Sequence, residues 1–180
     1  IISGNINSTD KVIISCNEIA PAFSLNGLTM VSGLAQMSIA NCQTTPDRTL
    51  QTGNGGAVFI RNYNSTFTIS GVKFYNNSAV EAGGAIAASF VRELHIIDSE
   101  FGENFALIRG GAVSITTTNL TIHGSVFVDN VANGTEIVTT NAITYETGGR
   151  GGAFYGLSST VSIYDTMFLN NTAVRSGGAV

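Results

Sequence analysis

A phrase of two glycines, an alanine and one apolar residue occurs five times along the chain, beginning at Gly55, Gly83, Gly110, Gly151 and Gly177. The intervals between them are 28, 27, 41 and 26. A second phrase, F-x-x-N, alternates with it: Phe74 to Asn77, Phe101 to Asn104, Phe127 to Asn130 and Phe168 to Asn171. From each glycine phrase to the next Phe the spacing is 19, 18, 17 and 17; from each Phe onward it is 9, 9, 24 and 9. The long interval is therefore an ordinary unit with about 15 additional residues after Asn130, and a fixed period of this length is the mark of a repeat architecture.

The residues between the phrases align as well. Seven positions before each Phe stand Phe67, Leu94, Leu120 and Val161, and five before stand Ile69, Ile96, Ile122 and Ile163. Apolar residues two apart predict short half-buried strands. Three before each Phe come Gly71, Asp98, Gly124 and Asp165, residue types that permit a bend. After each glycine phrase another strand is expected, with Val58, Ile86, Val113, Phe154 and Val180 in register. A unit of about 26 residues with short strands and bends cannot bury its apolar face alone, whereas units stacked on one another bury a continuous core. The expected fold is all-β, a parallel β-helix (solenoid) with one such unit per coil and like residues stacked about 4.8 Å apart. Phe74, Phe101, Phe127 and Phe168 would form one column; Asn77, Asn104, Asn130 and Asn171 would form another, their amides hydrogen-bonded along the axis. The paired glycines would supply positive φ and close backbone approach at one corner.

The chain reads as a single solenoid segment, 1–180, and as the ordered part of a longer polypeptide: 1–54 as degenerate coils, 55–180 as regular ones, with an inserted loop at 131–149. The front keeps strand-like stretches at 11–16, 22–30 and 35–42. Cys16 and Cys42 are one regular step apart, so the period places one above the other. A disulfide is the reading taken, as suits an extracellular chain; a reduced pair stacked in the core is the alternative.

Net charge is −4, and only 11% of residues are charged against a usual share of about 25%. That leaves no basic field for nucleic acid or an anionic membrane. No apolar run approaches the ~20 residues of a membrane span, so no membrane insertion is expected within this segment. The stretch 1–10 lacks the charged and apolar regions of a signal peptide.

The alternating GGA-[ILVF] and F-x-x-N signatures resemble the repeat of the chlamydial polymorphic outer membrane proteins. The resemblance covers 55–180 strongly and 1–54 loosely. It implies a right-handed β-helix, an extracellular or cell-surface location, and roles in adhesion or surface architecture. Six N-x-S/T sequons, at Asn7, Asn64, Asn76, Asn119, Asn133 and Asn170, are the candidate N-glycosylation sites. Asn76 and Asn170 each precede a ladder asparagine and should point outward.

Parallel β-helices also carry polysaccharide lyases and hydrolases, which need acidic residues clustered on one face. Here Asp98 and Asp165 share a repeat position but with Gly124 between them; His95 and His123 differ in register; Glu100 and Glu103 flank Phe101. Arg109 and Arg150 precede the glycine phrase directly and Arg175 lies two before it, a surface turn position or a basic stripe for an acidic sugar. No catalytic residue, metal site or cofactor is assigned. The leading expectation is a non-enzymatic structural or adhesive solenoid of a surface fibre, coat or adhesin, its partners being other solenoid segments, as in a filament. A lyase- or hydrolase-type enzyme, and a glycan- or receptor-binding module using the 131–149 loop, are the competing functions.

Overall fold

In the computed structural model the described residues are 5–7, 12–17, 22–31, 53–134, 137–140, 143–146 and 148–180. Among them the chain is all-β, with no helix. It passes in turn through three parallel sheets. The first holds the strands after the glycine phrase, such as Val58–Ser70, Ile86–Ile97 and Phe154–Leu157. The second holds the Phe strands: Lys73–Tyr75, Glu100–Gly102, Val126–Val128 and Met167–Leu169. The third holds very short strands, from Ser78–Ala79 to Thr172–Ala173.

Register follows the repeat. Val58 pairs with Ile86, Ile86 with Val113, and Val113 with Phe154. Ile69, Ile96, Ile122 and Ile163 pair in the same way. The apolar residues of each strand point to a common interior, where Ile60, Phe67, Ile69, Leu94, Ile96, Ile115 and Ile122 are fully buried.

Four positions in each regular coil have left-handed backbone, and these set the corners. In one coil they are Gly83, Phe90, Asp98 and Glu103; in the next, Gly110, Thr117, Gly124 and Asp129. The glycine phrase uses its two glycines for different reasons. Gly110 has φ +60°. Gly111 does not, but a methyl group there would collide with the carbonyl oxygen of Gly152 in the next coil and lie 2.5 Å from the Val131 nitrogen. The coils touch backbone to backbone at this corner, so only a residue without Cβ fits. Ala85, Ala112 and Ala153 follow it, each fully buried.

At the other three corners the residue after the left-handed one turns inward, and it is usually polar. Its oxygen accepts a backbone N–H from the preceding coil: Ser99 from Val72, Ser125 from Ser99, Thr118 from Val91, Ser159 from Thr118. The Ser99, Ser125 and Thr118 hydroxyls donate to the carbonyl two positions earlier. These ladders satisfy N–H groups that a bend removes from strand pairing. Among the described residues no buried side-chain nitrogen or oxygen lacks a partner.

Two expectations change. At the front of the chain Asn5 pairs with Thr29, close to the regular step, whereas Val12 pairs with Val58, Phe23 with Phe67 and Met30 with Phe74 across longer intervals. The strand that holds Cys16, Val12–Asn17, pairs with the strand Val58–Ser70. Cys42 and the Cys16 side chain lie outside the described residues, as does the disulfide. The insertion is also more than a loop: Ile137–Thr140 and Ile143–Glu146 pair as an antiparallel hairpin. Its strands carry Val138, Thr139, Thr144 and Tyr145 in register, the β-branched and aromatic content that favours strands.

Candidate functional site

The residues singled out by the F-x-x-N phrase form two adjoining columns. Phe74, Phe101 and Phe127 are fully buried and Phe168 packs against them. Ring centroids are 4.8, 4.5 and 4.9 Å apart, and the planes lie within 13° of parallel. The strand register imposes this stack, because one coil step brings each ring over the next.

Three positions on, Asn77, Asn104 and Asn130 are buried, and Asn171 continues the column half-buried. Each of the three buried side chains links three coils. The Asn104 amide nitrogen donates back to the Phe74 carbonyl (3.0 Å) and forward to Asn130 Oδ1 (2.9 Å). Its own Oδ1 accepts from both the backbone N–H (3.1 Å) and the Nδ2 (2.9 Å) of Asn77. Asn130 repeats the pattern with Phe101 and Asn171. Such a chain of amides buried in a low-dielectric interior reinforces itself from coil to coil.

The charged candidates are spread over the outside. Asp98 and Asp165 are exposed corner residues with φ +47° and +46°. His123 Nε2 lies 3.3 Å from Asp165 Oδ2, and His95 Nε2 lies 4.0 Å from Glu93. Among the described residues no three His, Cys, Asp or Glu side chains come together as metal ligands. Arg109 and Arg150 are bridge partners in one column, followed by Ser176, so Arg175 stands outside it. Arg109 lies 5.8 Å from the centroid of the Tyr155 ring, a cation–π distance.

Glu100, which flanks the buried Phe101, joins a cross-coil cluster. Its carboxylate accepts from Lys73 Nζ at 3.0 Å and from the Tyr75 hydroxyl at 2.8 Å. The Lys73 and then the Tyr75 hydrogen bonds hold its carboxyl below the ordinary glutamate range. Burial, then the Glu100 bond, pushes the Tyr75 hydroxyl up. With the folded value depressed, the stabilisation is present above the ordinary glutamate value and is lost as pH falls through the lower folded one. Because both partners are well exposed, Lys73→Met should cost no more than about 0.5 kcal/mol at neutral pH. An NMR pH titration should nevertheless show the Glu100 carboxyl moving up in that variant.

Of the sequon asparagines, Asn64, Asn76, Asn119, Asn133 and Asn170 are exposed, and Asn7 lies in the strand Asn5–Asn7. Asn76 and Asn170 sit at left-handed corners, φ +53° and +52°. The sequon hydroxyl of Thr66 donates to Glu93 Oε2 at 2.7 Å, which lowers the Glu93 pKa.

The hairpin is a sheet of its own, inserted where the chain on either side comes together. The Gly134 carbonyl oxygen lies 2.9 Å from where a Cβ on Gly149 would be. Excising residues 135–147 should shift the urea midpoint by less than the equivalent of about 0.5 kcal/mol, since long surface insertions add little to folding. Circular dichroism would check this.

Parallel sheets tied by side-chain ladders from coil to coil define a repeat scaffold. A model of the Chlamydia polymorphic membrane protein repeat matches residues 71–89, which contain both Phe74–Asn77 and Gly83–Ile86. A protein of Escherichia coli strain K12, probable autotransporter YfaL, is 30% identical over 138 residues, which is 68% of this chain and 10% of that relative. The chain thus spans about a tenth of the relative's length. No solved structure matches. Residues 71–89 thus carry a repeat of the polymorphic membrane protein type.

Proposed function

We propose that the chain is a stretch of a right-handed parallel β-helix, one repeat unit per regular coil, in a protein of the outer membrane or cell surface. Its role there is structural and adhesive rather than enzymatic. The supporting observation is the unbroken Phe and Asn columns, which devote the interior to axial rigidity. Likeness to an autotransporter supports the surface location. Ile163 and Val180 are exposed, whereas the equivalent Ile122 and Phe154 one coil back are buried beneath a stacked coil. Its proposed partner is therefore a further solenoid segment.

The test uses intact cells producing the full-length protein. An antibody raised against the 137–146 hairpin should label them without permeabilisation, and the purified segment should leave a panel of acidic and neutral polysaccharides at full length. Labelling only after permeabilisation would overturn the location. Shortening of any polysaccharide would overturn the non-enzymatic role.

A further inference from the structure

We propose that Phe90 and the groove around it form a saccharide-binding site, in which the ring takes the apolar face of a pyranose unit. Ten non-glycine residues of the described chain have positive φ, and nine are Asn, Asp, Glu, Ser or Thr. Phe90, at φ +56°, is the exception. Bulky side chains are genuine outliers in this region. Its neighbours along the same corner column, Asn62, Thr117 and Ser158, are small and polar.

Burial does not offset this strain, because Phe90 is 52% exposed while Val91 beside it is buried. Strain retained without a packing return is characteristic of binding positions. The ring lies in a shallow groove of about 540 Å³ whose lining, Val91 apart, is otherwise polar, with Asn62, Asn64, Arg92, Thr117 and Asn119 among it. One aromatic face amid amides, a hydroxyl and a guanidinium suits a sugar, which offers C–H groups on one face and hydroxyls at its rim. A protein partner would call for a wider apolar centre. The groove crosses several coils, so it suits more than one sugar unit.

The sugar could be a free saccharide or one attached at Asn64 or Asn119, and the experiment separates these sources. Protein made in a host without N-glycosylation is titrated with chitotriose, maltotriose and cellotriose, following Phe ring signals by NMR. The expected result is millimolar or tighter binding of at least one trisaccharide. Phe90→Tyr should keep it; Phe90→Asn should weaken it at least tenfold while raising the melting temperature, because Asn accepts the left-handed backbone. In a second arm, protein from a glycosylating host is compared with its Asn64→Gln and Asn119→Gln variants. Phe90 signals shifted by the glycan, and restored by one of these changes, would assign the attached source. Absence of binding in the first arm together with unshifted Phe90 signals in the second overturns the proposal. So does a Phe90→Asn protein that binds as well as its parent.

Discussion

Gly111→Ala should abolish the native fold of the central coils, a loss of more than about 4 kcal/mol, the range reserved for gross backbone or core disruption. The reason is local and absolute. The added methyl would occupy the space of the Gly152 carbonyl oxygen, and that carbonyl sits in the next coil's own glycine phrase. Gly111 N–H also donates to Gly151 O at 3.1 Å, and Ala112 N–H to Ala153 O at 2.9 Å, so the coils cannot part without losing bonds on both sides. No rotamer change offers relief, since every atom met is backbone. Gly124→Asn serves as the contrast. Its register neighbours Asp98 and Asp165 hold the same left-handed backbone, and the one close atom a Cβ would meet is the end of the exposed Asp98 side chain, which can swing away, so Asn should be accepted at a cost of about 1 kcal/mol or less. Urea unfolding followed by circular dichroism separates the two: a native-like transition for Gly124→Asn, and loss of the cooperative transition for Gly111→Ala. A Gly111→Ala protein with an unchanged midpoint would mean that the coils do not meet at this corner.

Asn104→Ala should cost about 3–5 kcal/mol, because it strands several buried groups at once. The Asn77 backbone N–H and side-chain amide lose their acceptor, while the Phe74 carbonyl and Asn130 Oδ1 lose a donor. Leucine at this site should not recover the loss, since shape is not what is missing. Asn130→Ala alone should be similarly severe. The double variant should cost less than the sum by at least about 1 kcal/mol, since each change already breaks the bond they share. Strict additivity of the two would show that the amides act independently and are not a ladder.

Much of this architecture was legible because repeat proteins print their register in the sequence. Phe74, Phe101, Phe127 and Phe168 could be aligned by counting, and so could the Ile and Asn columns, since a stacked position tolerates few residue types. The fourth corner was not legible. Asn62, Phe90, Thr117 and Ser158 share a backbone conformation, but three different small polar residues and a phenylalanine give the column no common letter. The hydroxyl ladder of Ser99, Ser125 and Thr166 was missed for a related reason. Its first position is Val72, whose backbone N–H alone takes part, so the column lacks a common letter. The front coil misled because pairing that leaps from Val12 to Val58, or from Met30 to Phe74, leaves no trace in local spacing. The Lys73–Glu100–Tyr75 cluster could have been found by asking what faces Glu100 one coil back, as Glu100 pairs with Lys73.

Cross-linking across the insertion is the most direct measurement of whether coils stack in the register described. Thr121 pairs with Ser162 on the far side of the hairpin, and His123 with Tyr164. In a background with Cys16→Ser and Cys42→Ser, the pair Thr121→Cys with Ser162→Cys should oxidise readily to an intramolecular disulfide, the strands being about 4.8 Å apart. The pair Thr121→Cys with Tyr164→Cys, two positions out of step, should not. Equal yields from the two pairs, or a higher yield from the second, would contradict the stacked-coil account.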